Sequence, residues 1–196
     1  MDFKEYSRID TALKAALNNE RYIHTLGVAY TSSALAMRYG YDTDKALMAG
    51  LLHDCAKCFP TEEKFRLCEE GKVCLSESEI RNPALIHAKL GAYIAVRDYG
   101  INEPEILDAI RTHTTGSPSM SLLQKIVYIA DLIEPNRDDI IAGIEIMRQL
   151  SFTDIDMAVY TISKRQLEYL ASQPGKEIDP GTRETFEYYK EVINGR

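Results

Sequence analysis

Four histidines and two aspartates carry the chemistry that this sequence offers. In chain order they are His24, the dipeptide His53-Asp54, His87, His113 and Asp131, and no histidine is left over. Most lie in apolar runs: Tyr22-Ile23-His24, Gly50-Leu51-Leu52-His53-Asp54, Leu85-Ile86-His87 and Ile129-Ala130-Asp131. An ionised aspartate is costly to bury unless it is paired or bound to a cation. Neutral imidazole together with carboxylate is a donor set that iron, manganese, nickel and zinc accept. A single His-Asp pair arises readily by chance, whereas the complete order is a far stronger signal. The residues therefore point to a mono- or dinuclear metal centre. Its members are far apart in the chain, so separate helices must supply them, as facing helices of a bundle do. Neighbours on a helix are about 100° apart around its axis, which would let Asp54 bridge two ions while His53 binds one.

Cations accompany these positions. Arg21 precedes His24 by three and Lys57 follows Asp54 by three, a spacing that puts each pair on one side of a helix. Arg137 follows the break after the Asp131 helix. Guanidinium forks bind phosphate bidentately and an ammonium acts as a point charge. Thr114, Thr115 and Gly116 add hydroxyls and backbone N–H groups after His113, and Arg183 and Tyr188 are further candidates for base or phosphate contact.

The elements that must position these groups read as helices, because period-two strand patterns are nearly absent and helical spacing dominates. The first is expected over 3–17 and the second over 20–39, capped by Asn18 or Asn19 and stopped by Gly40. A third, capped by Thr43, is expected to run to about Lys57, before Pro60. A short helix over 62–69 follows, then a polar connection over 75–82 that could cover a pocket. Pro83 suits the first turn of the helix carrying His87, which ends at Gly100. Pro104 opens the helix that ends in His113. Residues 120–134 form the most apolar helix and carry Asp131. Helices over 139–150 and 153–172 follow, then a loop over 174–181 and a last helix over 182–193. The expected fold is all-α, one helical bundle over residues 1–196, with a core of about 20–172 and the segment 174–194 packed on it.

Composition bounds the function. The 196 residues contain 45% apolar and 27% charged side chains, ordinary for a globular protein, and carry a net charge of −7. An acidic chain lacks the basic face that general nucleic-acid binding needs, but metals with a few Arg or Lys can make one pocket locally positive. Without a long apolar run or an apolar N-terminal segment, no membrane partner is expected and the compartment is read as cytoplasmic. Cys55-Ala56-Lys57-Cys58, with Cys68 and Cys74, offers a C-x-x-C, but the second pair is irregularly spaced for zinc and the flanks lack a βαβ context. The cysteines are read as reduced thiols, with oxidation of Cys55 a threat to the adjacent ligand.

The order H…HD…H…H…D resembles that of the HD-domain metal-dependent phosphohydrolases. Longer strings resemble the symmetrical bis(5′-nucleosyl)-tetraphosphatases within them: Arg21-Tyr22-Ile23-His24-Thr25-Leu26-Gly27-Val28, Gly50-Leu51-Leu52-His53-Asp54-Cys55-Ala56-Lys57, His87-Ala88-Lys89-Leu90-Gly91-Ala92, His113-Thr114-Thr115-Gly116 and Ala130-Asp131-Leu132-Ile133-Glu134-Pro135-Asn136-Arg137. Cys55 stands where that pattern usually has an aromatic, and the segment after Arg137 is slightly longer. The resemblance implies an HD-domain bundle in which His24, His53, Asp54 and Asp131 hold a first metal, iron by preference. His87 and His113, with Asp54, either hold a second ion or face the substrate. It implies attack of metal-bound hydroxide on a phosphorus of diadenosine tetraphosphate, giving two ADP. Asp54, Lys57, His87 and His113 would be catalytic, and Arg21, Lys57, His87, His113, Thr114 and Arg137 would contact the nucleotide. A homodimer is compatible with the sequence. Another HD-type nucleotide phosphohydrolase, a di-iron oxygenase and a non-catalytic metal-binding module are the alternatives, and the cations beside the ligands favour a phosphohydrolase.

Overall fold

Helical periodicity is realised as eleven α-helices, with no strand, among the residues that the computed structural model describes: 3–137, 143–173, 175 and 177–196. The first, α1 (Phe3–Ala16), turns Ile9 and Leu13 inward. Asn18 caps α2 (Asn19–Tyr39) by accepting the Arg21 N–H. Asp42, not Thr43, caps α3 (Thr43–Leu52), accepting the amides of Asp44 and Lys45.

That third helix ends at Leu52 instead of near Lys57, and the cause is the site itself. The His53 imidazole donates from Nδ1 to the Gly50 carbonyl at 2.7 Å, the acceptor that an Asp54 N–H would need to continue the helix. The chain proceeds by tight turns, with Lys57 N–H donating to the Asp54 carbonyl at 2.9 Å. Lys57 thus stays on the Asp54 side without a helix beneath it.

After α4 (Thr61–Glu70), the connection expected over 75–82 contains a short helix, α5 (Glu77–Arg81), opened by a reciprocal Ser76–Glu79 capping box. Pro83 lies in the turn before α6 (Ile86–Tyr99) and not in its first turn; Leu85 N–H donates to the Asn82 carbonyl there. Pro104 does open α7 (Pro104–Thr112). A second capping box, Ser121–Gln124, opens α8 (Leu122–Ile133). The chain continues in α9 (Ile144–Ser151), α10 (Ile155–Ala171) and α11 (Pro180–Asn194). The start expected at 139 and positions 174 and 176 of the expected loop lie outside the described residues, and α11 begins at Pro180 instead of 182.

Helix α3 packs on α2, α7 and α8, and α8 on α2 and α7, with α6 on α7, α10 on α8 and α11 on α10. The apolar stripe of α8 (Leu123, Ile126, Val127, Ile129, Ala130, Ile133) is wholly buried; each such Leu or Ile contributes about 1.5–3 kcal/mol of transfer free energy. One hydrophobic cluster runs from Ile9 to Tyr189. Gly50 sets the contact between α2 and α3: a Cβ there would lie 2.8 Å from the Ala29 Cα and 3.0 Å from the Val28 carbonyl oxygen. Any side chain would push α3 away from α2, and with it His53 from His24, whose ring centroids are 5.2 Å apart. Among the described residues no helix is long and apolar enough to cross a membrane.

Candidate metal centre

The ends of α3 and α7, the start of α6, the second turn of α2 and the last turn of α8 converge on one buried cluster. His53 and Asp54 are fully buried, His87, His113 and His24 nearly so, and the Asp131 side chain is 19% exposed. Each histidine is oriented by its Nδ1. His53 meets the Gly50 carbonyl at 2.7 Å, His87 that of Ala84 at 2.6 Å, His113 that of Ile110 at 2.8 Å, and His24 the Glu134 carboxylate at 3.1 Å. Carbonyls and carboxylates only accept, so the proton belongs on Nδ1 and a bare Nε2 faces the cluster. This is the arrangement that outer-shell partners impose on metal-binding histidines.

Two donor groups result, divided by the oxygens of Asp54. In the first, His24 Nε2 is 3.0 Å and His53 Nε2 3.7 Å from Asp131 Oδ1, while Asp54 Oδ2 is 3.4 Å from His53 Nε2 and 3.9 Å from His24 Nε2. In the second, Asp54 Oδ1 is 3.3 Å from His87 Nε2 and 3.5 Å from His113 Nε2, and those nitrogens are 3.1 Å apart. Donors of His24, His53 and Asp131, and of His53, Asp54 and His113, each fall within 4.8 Å of one another.

The donors fit a cation. His53 Nε2 and Asp54 Oδ1 are buried without a hydrogen-bond partner, a costly condition for polar atoms. Two bare imidazole nitrogens 3.1 Å apart have no proton to share, and the Thr114 hydroxyl, 3.2 Å and 3.1 Å from them, can donate to only one. Electrostatics agree. Burial would raise the Asp54 carboxyl, but the polar surroundings, the Lys57 ammonium among them, outweigh it and hold it well below the usual carboxylate range. Burial likewise opposes ionisation of Asp131, and its surroundings, with Arg137 beside it, overcome it. Burial, with His113 and Lys57 beside it, pushes His87 well below the ordinary imidazole range and keeps it neutral.

Three cations border the carboxylates. Arg21 Nη1 is 2.8 Å and Lys57 Nζ 3.3 Å from Asp54 Oδ2, and Arg137 Nη2 is 2.6 Å from Asp131 Oδ1. All three side chains are about one-third exposed, so they reach solvent as well as the cluster.

The family model described as "HD domain" matches residues 21–136, more than half of the chain and the whole span from Arg21 past Asp131. The chain belongs to the HD-domain family. Within it, the symmetrical bis(5′-nucleosyl)-tetraphosphatase of Bacillus subtilis is 39% identical over 93% of this chain and 95% of its own length. The protein of the same description from Halalkalibacterium halodurans is 37% identical over 89% and 91%. A crystal structure from Clostridium acetobutylicum, described as a "predicted HD superfamily hydrolase involved in NAD metabolism", superposes with a TM-score of 0.90 at 37% identity, covering 95% of this chain and 97% of that one.

In this HD domain the six expected ligand positions come together, with Arg21, Lys57, Arg137 and Thr114 against them. Thr115 and Gly116 do not join them: the Thr115 hydroxyl donates to the Gly116 carbonyl, and the Thr115 carbonyl accepts from Thr185 of α11. Arg183 is exposed and Tyr188 packs edge-on against Tyr189, and among the described residues no contact joins either to the cluster. No cysteine enters either donor group. All four cysteines are free, and burial pushes the Cys55 thiol up, leaving little of the thiolate on which oxidation depends. Glu134 is the residue that sequence reasoning passed over. Its carboxylate is buried, accepts from the Asn136 backbone N–H at 2.7 Å and holds His24 Nδ1. Its signal was its place three residues after Asp131, on the same helical face.

Proposed function

We propose that the chain hydrolyses dinucleoside tetraphosphates, diadenosine tetraphosphate first among them, symmetrically to two ADP. The observation that carries this reading is the pair of buried, partnerless atoms, His53 Nε2 and Asp54 Oδ1, inside a ring of bare imidazole nitrogens edged by three cations. Relatives that match nearly end to end bear the name of this activity.

His24, His53, Asp54 and Asp131 would hold the first cation, and His87 and His113 with Asp54 Oδ1 would form the second subsite. A nitrogen and oxygen set without thiolate suits iron, with manganese, nickel and zinc as substitutes. A cation there supplies a nucleophilic water near neutral pH and polarises a phosphoryl oxygen. The chain's own side chains do the rest. Arg21 and Arg137 grip the non-bridging oxygens of the phosphate chain, and Lys57 faces the charge that develops on the departing ADP. Thr114 donates its hydroxyl to a phosphate oxygen beside His87 and His113. Water adds to one of the two central phosphorus atoms, the bond to the bridging oxygen between them breaks, and the ADP on the far side leaves. A nucleotide substrate and four free cysteines point to the cytoplasm as the compartment.

Product analysis tests the reading. Metal-stripped protein is reloaded anaerobically with ferrous iron and given diadenosine tetraphosphate, and the nucleotides are separated by chromatography. ADP as sole product is expected. AMP with ATP would move the point of attack, and no product from metal-loaded protein would remove the activity.

A further inference from the structure

Thr114 is proposed to meet a phosphate oxygen beside His87 and His113, and the following inference rests on that reading. The Thr114 hydroxyl is 3.2 Å from His87 Nε2 and 3.1 Å from His113 Nε2, so a shift of the backbone beneath it takes it from both. No helix holds that backbone. α7 ends at Thr112, His113 turns its Nδ1 onto the Ile110 carbonyl at 2.8 Å, and the chain closes into a turn in which the Gly116 N–H donates to the Thr112 carbonyl at 2.8 Å. Among the described residues no backbone N–H donates to the Thr114 carbonyl.

A side chain of α10 supplies the missing donor. Gln166, 52 positions later in the chain, donates from Nε2 to the Thr114 carbonyl at 3.1 Å. The Gln166 amide is itself fixed: the hydroxyl of Tyr128, on α8 and three residues before Asp131, donates to Gln166 Oε1 at 3.0 Å. A carbonyl only accepts, so both contacts require the same orientation of the amide. Tyr128 is 3% exposed, which keeps its end of this chain of bonds out of water, where a lost partner is costly. The next carbonyl, that of Thr115, accepts from the Thr185 hydroxyl of α11 at 3.0 Å, but Thr185 divides one proton between it and the Gly181 carbonyl of its own helix at 2.8 Å. Gln166 is therefore the firmer of the two holds on the turn.

We propose that Gln166, set by Tyr128, is a positioning residue of the centre. It fixes the Thr114 backbone and, through it, the hydroxyl that meets phosphate between His87 and His113. Neither Gln166 nor Tyr128 touches the substrate. Their effect reaches it only through Thr114, so α10 serves the same centre as the helices that carry the histidines.

The test uses the full chain. Manganese is titrated calorimetrically into the stripped protein, and inorganic diphosphate into the manganese-loaded one. In Gln166→Leu the Kd for diphosphate is expected to rise about ten-fold, as it does in Thr114→Val, the scale of one hydrogen bond to a charged group. The Kd for the first manganese is expected to stay within about two-fold, because His24, His53, Asp54 and Asp131 share no hydrogen-bond partner with Gln166. Gln166→Glu keeps the length and the Tyr128 bond but turns a second acceptor on the Thr114 carbonyl, and it carries the test if the leucine variant does not fold. Since Gln166 acts through Thr114, adding either Gln166 variant to Thr114→Val is expected to change the Kd for diphosphate by no more than about two-fold. A merely structural role would give losses that add in the double variant, or would weaken manganese as much as diphosphate, and either result overturns the proposal. Diphosphate binding that is unchanged in the Gln166 variants, or in Thr114→Val, overturns it as well. Variants that behave as expected in a chain that splits no dinucleoside tetraphosphate leave the positioning role standing and remove the proposed function. A chain that splits the substrate while diphosphate binding ignores Gln166 removes the positioning role alone.

Discussion

Replacing Gly27 by alanine sets helix propensity against the orientation of His24, a proposed metal ligand. Gly27 is inside α2, where Ala is intrinsically better than Gly by about 1 kcal/mol, so propensity alone predicts a more stable protein. A Cβ at Gly27 would however lie 2.3 Å from Glu134 Oε2 and 2.9 Å from its carboxylate carbon. Relief requires the carboxylate to move by about 1 Å, which strains the hydrogen bonds that hold it, from Asn136 to Oε2 and from His24 Nδ1 to Oε1, at the edge of the range in which such bonds persist. A hydrogen bond to a charged group is worth about 1.5–3 kcal/mol; set against the propensity gain, the metal-free variant is expected to be destabilised by about 0.5–2 kcal/mol. The larger effect falls on the metal. Losing an outer-shell partner typically costs 10–100-fold in affinity, or about 1.4–2.8 kcal/mol. Chelator competition gives the affinity and thermal melting of the stripped protein gives the stability. Glu134→Gln, which keeps an acceptor near His24, is expected to lose less than Gly27→Ala. A Gly27→Ala protein that melts higher and binds metal as tightly as the wild type would refute the role given to Glu134.

Arg137→Ala is expected to raise KM or lower kcat/KM with metal content intact; a wild-type kinetic profile would take Arg137 out of the substrate contacts. Acid should destabilise the metal-free protein in two stages. His87 is held below its ordinary value of 6.5, so as pH falls below that value the unfolded chain takes up a proton that the folded one refuses, and stability is lost. Asp54 and Asp131 are held below 3.8, so their contribution is complete above that pH and disappears as pH falls through their folded values. Thermal melting across pH should show both stages, and His87→Gln should remove only the first; a Tm that rises on acidification would contradict the assignment.

Helix order and the gathering of the four histidines with Asp54 and Asp131 were legible because they are written in two redundant patterns, apolar spacing and the polar residues that interrupt it. His24 and Asp131 could be assigned to helices, and their convergence followed from the cost of burying Asp131 alone. The end of α3 was not legible, since it depends on one imidazole proton choosing the Gly50 carbonyl over continued helix. The Ser76–Glu79 capping box was readable, yet its polarity resembled that of a connection. Glu134 had a signal in its place three residues after Asp131, but the room for its carboxylate had none: that depends on the absence of a side chain at Gly27, more than a hundred positions earlier, and only packing joins the two. Thr114 and Thr115 are chemically alike and adjacent, and only the turn after α7 sends one to the histidines and the other to α11.

The central claim is that Asp54 is the carboxylate around which the metal centre is built. Its most direct test is metal content, measured by mass spectrometry after desalting, together with hydrolysis of diadenosine tetraphosphate, for the wild type and Asp54→Ala. The wild type should retain metal and yield ADP, while Asp54→Ala retains none and yields no product. A folded Asp54→Ala protein that keeps its metal and still splits the substrate would contradict the account.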